Sequence, residues 1–160
     1  MATLTEHEKF LERAIQLAEE SAKSGKGGPF GAVIVKDGKI IAEASNTVTT
    51  SKDPTAHAEV NAIRKACAKL NDFELKDCII YASAEPCPMC FGAIYWARPK
   101  AIYFAADKDI AANAGFDDSF IYQEIALSKD KRKITTHHLP LENATQPFKI
   151  WVEKKDKIEY

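Results

Sequence analysis

No stretch of this 160-residue sequence approaches the roughly 18 consecutive apolar residues needed to cross a bilayer. Its opening, MATLTEHEKFLERA, scatters charges where a secretory leader would carry an apolar segment. The expectation is a protein without membrane contact, working in the cytoplasm. Glycine and proline are scarce at seven each, and neither an internal repeat nor a low-complexity tract marks a linker. Collagen-like and disordered chains are therefore excluded, and one domain spanning residues 1–160 is expected. An excess of either charge is also missing, since 22 Lys+Arg face 23 Asp+Glu for a net charge of −1. A domain that neutralises many phosphates carries a positive surplus, so nucleic acid is not an expected partner. Cysteines number four, and of these Cys87 and Cys90 form a Cys-x-x-Cys, a spacing suited to metal or thiol chemistry and not to a disulfide framework. Cys67 and Cys78 sit in apolar or regular-looking runs and read as buried thiols.

What is present is an ordinary globular balance, 46% hydrophobic and 28% charged, enough to build a core without cross-links. Thr5 and Glu8 form a capping box ahead of Phe10, Leu11, Ala14, Leu17, Ala18 and Ala22 at helical spacing, which ends at Gly25. Asp37-Gly38 separates Phe30–Lys36 from Lys39–Ser45 and predicts an antiparallel hairpin. A second helix is expected from Pro54 or Thr55 to about Leu70, a strand over Cys78–Ser83, and a third helix from about Pro88 to before Pro99. Ala101–Ala105 reads as a strand, Asp118–Leu127 as a helix, Ile134–His138 as a short strand and Thr145–Lys155 as a last helix, with Pro147 in its first turn. A hairpin followed by alternating helices and strands implies a mixed sheet, parallel towards its C-terminal half, with helices on both faces.

The chemistry concentrates in His57-Ala58-Glu59 and Pro86-Cys87-Pro88-Met89-Cys90, each at the start of an expected helix. Cys87 and Cys90 are three residues apart, so both sulfurs reach one ion from a first helical turn. The free N–H groups of that turn favour thiolates. His57 and Glu59 are about 200° apart on a regular helix and can address the same ion only if it lies beyond the helix end. Two thiolates and a neutral imidazole balance the charge of Zn²⁺ and leave its fourth position for water, the arrangement of a catalytic zinc. Glu59 is then free for proton transfer. A structural zinc would want a fourth Cys or His and would give Glu59 no task. The glycine-rich stretch Gly25–Gly31 follows a helix and precedes a strand, the reverse of a dinucleotide-binding turn, and reads as the edge of a pocket.

His-x-Glu with Pro-Cys-x-x-Cys resembles the signature of zinc nucleobase deaminases. Together with GPFGAVIVKDGKIIAEASN, DPTAHAEVNAIRKA, SAEPCPMCFGAIYWARP and AGFDDSFIY, it resembles the bacterial-type guanine deaminases of the cytidine deaminase superfamily along nearly the whole chain. The resemblance implies a three-layer α/β/α sandwich around a five-stranded mixed sheet, one Zn²⁺ per chain, and hydrolysis of guanine to xanthine and ammonia. It implies zinc ligation by His57, Cys87 and Cys90, proton transfer by Glu59, assistance to the departing amine by Asp118, and base binding by Asn46. Phe30 and Trp96 are similar to the aromatic walls of the family's base pocket. The family's C-terminal segment crosses to the other subunit of a homodimer, which here would carry residues of about 145–160, with Tyr160, to the neighbouring site. Guanosine, cytosine, amino-triazines and tRNA adenosine are the alternative substrates within the superfamily, and a zinc-stabilised interaction module without catalysis is the alternative outside it. From the residues alone Asn46 is equally a turn residue, Phe30 and Trp96 core aromatics, Asp118 a helix cap, and His7, His137 and His138 solvated or strand-end histidines.

Overall fold

The structure, a computed structural model, describes residues 5–160. Helix α1 (Glu6–Ser24) starts at the expected capping box. The Thr5 hydroxyl accepts the Glu8 N–H at 3.2 Å and the Glu8 carboxylate accepts the Thr5 N–H at 2.5 Å. Gly25, at φ 69°, ends the helix in the left-handed conformation. Strands β1 (Gly31–Lys36) and β2 (Lys39–Ser45) form the hairpin, with Asp37 and Gly38 at φ 50° and 71°, as a two-residue turn of the right twist requires. A one-turn helix α2 (Val48–Ser51), too short to leave a periodic signal, precedes α3 (Ala58–Leu70). Then come β3 (Cys78–Ala84), α4 (Pro88–Ala97), β4 (Ala101–Ala106) and a further short helix, α5 (Lys108–Asn113).

The sheet order is β2-β1-β3-β4, with β1 antiparallel to both neighbours and β3 parallel to β4. Side chains alternate across it with the two-residue period of a strand. Ala32, Ile34, Cys78 and Ile80 pack with Ala62 and Ala66 of α3 and Ile94 and Ala97 of α4. On the opposite face Val33, Val35 and Tyr81 pack with Ala14 and Leu17 of α1. The layers are therefore α, β, α. Gly31 makes the α1 contact possible, because a Cβ there would run into the Ala14 carbonyl and come within 2.8 Å of Leu17 Cβ. His7 is not solvated, as the sequence suggested. Its Nδ1 lies 2.8 Å from the buried Tyr81 hydroxyl and its ring stacks on Tyr103 at 4.3 Å, so it fastens the start of α1 to the sheet.

Two sequence expectations change. Helix α3 begins at Ala58 and not at Pro54 or Thr55, because the Asp53 carboxylate accepts both the N–H and the hydroxyl of Thr55, at 2.8 and 2.7 Å, and holds that stretch in a turn. The sheet of the described residues has four strands and not five. Ile134–His138 is irregular, and Ile134 is 82% exposed, since a short strand forms only against a partner edge.

The chain divides into two compact units, one ending at Asp118 and the other covering Ser119–Tyr160. The second holds α6 (Ser119–Ala126), single 3-10 turns at Lys129–Lys131 and Glu142–Thr145, and α7 (Gln146–Glu153) with Pro147 in its first turn. None of its residues is buried. Phe148 and Val152 are 72% and 69% exposed. Among the described residues no helix is long and apolar enough to cross a membrane.

Candidate metal centre and active site

His57 and Cys87 occupy equivalent places in the fold. Each is the N-cap of its helix, with extended backbone (φ −71°, ψ 156° and φ −65°, ψ 167°), so each side chain projects beyond the helix end. Pro88 at the first helical position suits this geometry, since it lacks an N–H that would have no partner there. Cys90, one turn on and buried, points its sulfur to the same place. The His57 Nδ1 lies 3.5 Å from Cys87 Sγ and 3.5 Å from Cys90 Sγ, and the three ligand atoms lie within 4.8 Å of one another. Zinc binds thiolate at about 2.3 Å and imidazole at about 2.0–2.1 Å, so in a tetrahedral site sulfur and nitrogen stand about 3.6 Å apart. The residues fit that ion. The extended backbone of His57 carries its imidazole beyond the start of α3, where such an ion would have to lie.

The electrostatics agree with a thiolate site. Cys87 is pulled down to about 4, first by the hydrogen bond it accepts from Cys90 and then by the His57 imidazole. Cys90 is held far above the usual thiol range because it donates to Cys87 and is buried. His57 is raised, chiefly through its hydrogen bond to Cys87. Glu59, in the first turn of α3, is 7% exposed, and its Oε2 lies 3.4 Å from Cys90 Sγ. Burial raises its carboxyl above the ordinary carboxylate range. Asp118, half-buried at the end of the first unit, is raised by desolvation and then by the Cys87 charge.

Asn46 follows the last residue of β2 and is 5% exposed. Its Oδ1 accepts the N–H of Gly28 at 3.2 Å and of Val48 at 3.0 Å, while its Nδ2 takes part in no hydrogen bond among the described residues. The glycine loop presses on it so closely that a Cβ at Gly27 would meet Asn46 Oδ1 at 2.6 Å. The Phe30 carbonyl accepts the Asn46 N–H at 3.0 Å while its own N–H donates to the Gly28 carbonyl at 2.9 Å, and its ring stands edge-on to Phe116 at 4.9 Å. Trp96 lies in the last turn of α4, at the other end of that helix from Cys87, and is 64% exposed. Its position lends no support to a pocket wall within the subunit. Tyr160 is 71% exposed, edge-on to Trp151 at 6.5 Å within the second unit. Sequence reasoning missed Asn61, whose only signal was its place one turn after His57 on the same helix.

Residues 4–106 match the family described as the cytidine and deoxycytidylate deaminase zinc-binding region. The chain is 60% identical to Bacillus subtilis guanine deaminase over 96% of its own length and 99% of that protein. It is 40% identical to the tRNA-specific adenosine deaminase of Aquifex aeolicus, covering 92% of this chain and 94% of the other. Among solved structures, the X-ray structure of B. subtilis guanine deaminase superposes with a TM-score of 0.94 at 60% identity, over 96% of this chain and 98% of that one. Guanine deaminase from Nitrosomonas europaea gives 0.66 at 31% identity, over 74% and 67%. With zinc-ligand geometry at paired helix starts and a family match that contains all three ligands, the chain belongs to the zinc-dependent cytidine and deoxycytidylate deaminase family.

Proposed function

We propose that this protein hydrolyses the 2-amino group of guanine, giving xanthine and ammonia, as a cytoplasmic enzyme of purine breakdown or salvage. The observation that carries the reading is the 60% identity with B. subtilis guanine deaminase across nearly all of both chains. The tRNA-directed relatives stand further off, at 40% or less, and the net charge of −1 offers no surplus to a polyanion. His57, Cys87 and Cys90 would hold one zinc per chain, which supplies Lewis-acid activation of water when bound.

Glu59 accepts the proton that the attacking water gives up and returns it to the leaving nitrogen. Its burial beside the ligand sulfurs keeps that proton from solvent. Asn46 binds the base through its unused Nδ2, Phe30 forms an apolar wall beside it, and Asp118 faces the departing amine. We also propose a homodimer in which the C-terminal segment, residues of about 145–160, is exchanged and Tyr160 closes the neighbouring site. What supports the exchange is that Ser119–Tyr160 buries none of its residues, so its apolar side chains lack a core of their own. Ammonia release measured across guanine, guanosine, adenine, adenosine, cytosine and cytidine tests the substrate. Guanine should give the highest kcat/KM, and a preference for adenosine or cytidine would refute the assignment.

A further inference from the structure

Asn61 sits one turn into α3, its backbone N–H bonded to the His57 carbonyl at 2.9 Å. Its side-chain Nδ2 faces three oxygens from the segments on either side of the site. These are the Ser45 carbonyl at 3.1 Å, the Thr47 hydroxyl at 3.1 Å and the Ala56 carbonyl at 3.3 Å. Two of the three are main-chain carbonyls, which only accept, so the orientation of the amide is fixed by its surroundings. Ser45 and Thr47 flank Asn46, and Ala56 immediately precedes His57. The Ala56 carbonyl also accepts the Thr47 N–H at 3.0 Å, which closes the connection between the two segments. On its far side Asn46 is held by the Ser21 hydroxyl, which donates to its carbonyl at 3.2 Å, and by the Gly28 N–H.

We infer that Asn61 is a positioning residue for base recognition, tying the strand end that carries Asn46 to the loop that carries His57 so that base-reading donor and metal ligand keep a fixed spacing. The inference rests on the reading of Asn46 as the base-binding residue. An amide fits the task because its two N–H groups serve carbonyls of two different segments at once, while a carboxylate of the same shape would repel them. Without the clamp, the Asn46 loop gains freedom that substrate binding must remove, and the loss falls on ground-state binding.

The test is a double-mutant cycle on the zinc-loaded enzyme with guanine. Asn61→Ala should raise KM about tenfold, the scale expected for coupled neighbours in one hydrogen-bond network. It should leave kcat within about threefold of wild type, with zinc content unchanged. In the Asn46→Ala background the same change should add nothing to KM. Thr47→Val, which removes one acceptor while keeping the branched shape, should raise KM in the same direction by less, and serves if Asn61→Ala fails to fold. Additive effects in the cycle, an unchanged KM, or a fall in kcat accompanied by zinc loss would overturn the inference. If Asn46→Ala itself left KM unchanged, the base-binding reading would fall and the inference with it. A raised KM in Asn46→Ala but not in Asn61→Ala would sink the inference alone.

Discussion

At the scale of single residues, metal holding by His57, Cys87 and Cys90 and the proton transfer proposed for Glu59 are testable apart. Cys87→Ala removes one of three ligands and should abolish stoichiometric zinc by elemental analysis. Glu59→Gln keeps the side-chain volume in its buried place, so zinc should remain while kcat falls by about 10²–10⁴, the usual range for a lost general acid–base group. Asp118→Ala should lower kcat more than it raises KM, because a contact to the departing amine strengthens only in the transition state. A pure KM effect would reassign Asp118 to binding. The ligand set was legible because its residue types and spacing are chemically restrictive. Asn61 was not, since an asparagine inside a helix carries no sign of the three oxygens that the fold brings to it. Trp96 stands in the last turn of α4, at the far end of that helix from Cys87, and its residue type alone did not separate a core aromatic from a pocket wall.

At the scale of elements, α1 supports the site from behind the sheet, with its Ser21 hydroxyl on the Asn46 carbonyl. It covers the face of the sheet opposite α3 and α4, and Gly31 lets it sit against β1. Gly31→Ala meets backbone at that contact and should destabilise the protein by about 1–3 kcal/mol, read as a lowered Tm. The helix is also joined to β2 by Arg13, whose guanidinium grips Glu43 through Nε at 3.0 Å and Nη2 at 2.5 Å. That bond holds the Glu43 carboxyl below the ordinary glutamate range. A carboxyl depressed in the folded state contributes stability above its unfolded value and loses it as pH falls through the folded one. Glu43→Gln should therefore lower Tm at neutral pH, and its Tm difference from wild type should vanish on acidification. The hairpin, α1, β3 and α4 were readable because caps, turns and alternation all pointed the same way. The helices α2 and α5 were too short for periodicity, and the expected strand at Ile134–His138 was a pattern without a partner edge.

At the scale of the whole molecule, sequence composition gave a single globular chain, while the structure divides at Asp118 into one unit with a two-faced core and one without a buried residue. The exchanged homodimer proposed above makes sedimentation the direct check, and a monomer at assay concentration would refute it. A further consequence concerns dilution. A segment that lacks an interior owes its order to whatever covers it, and when the cover is a second copy, mass action sets how often it is bare. Amide hydrogens in α7 should therefore exchange with solvent faster as the protein is diluted, whereas those of β1 and β3 should keep one rate at every concentration, a contrast that deuterium uptake at two concentrations would reveal.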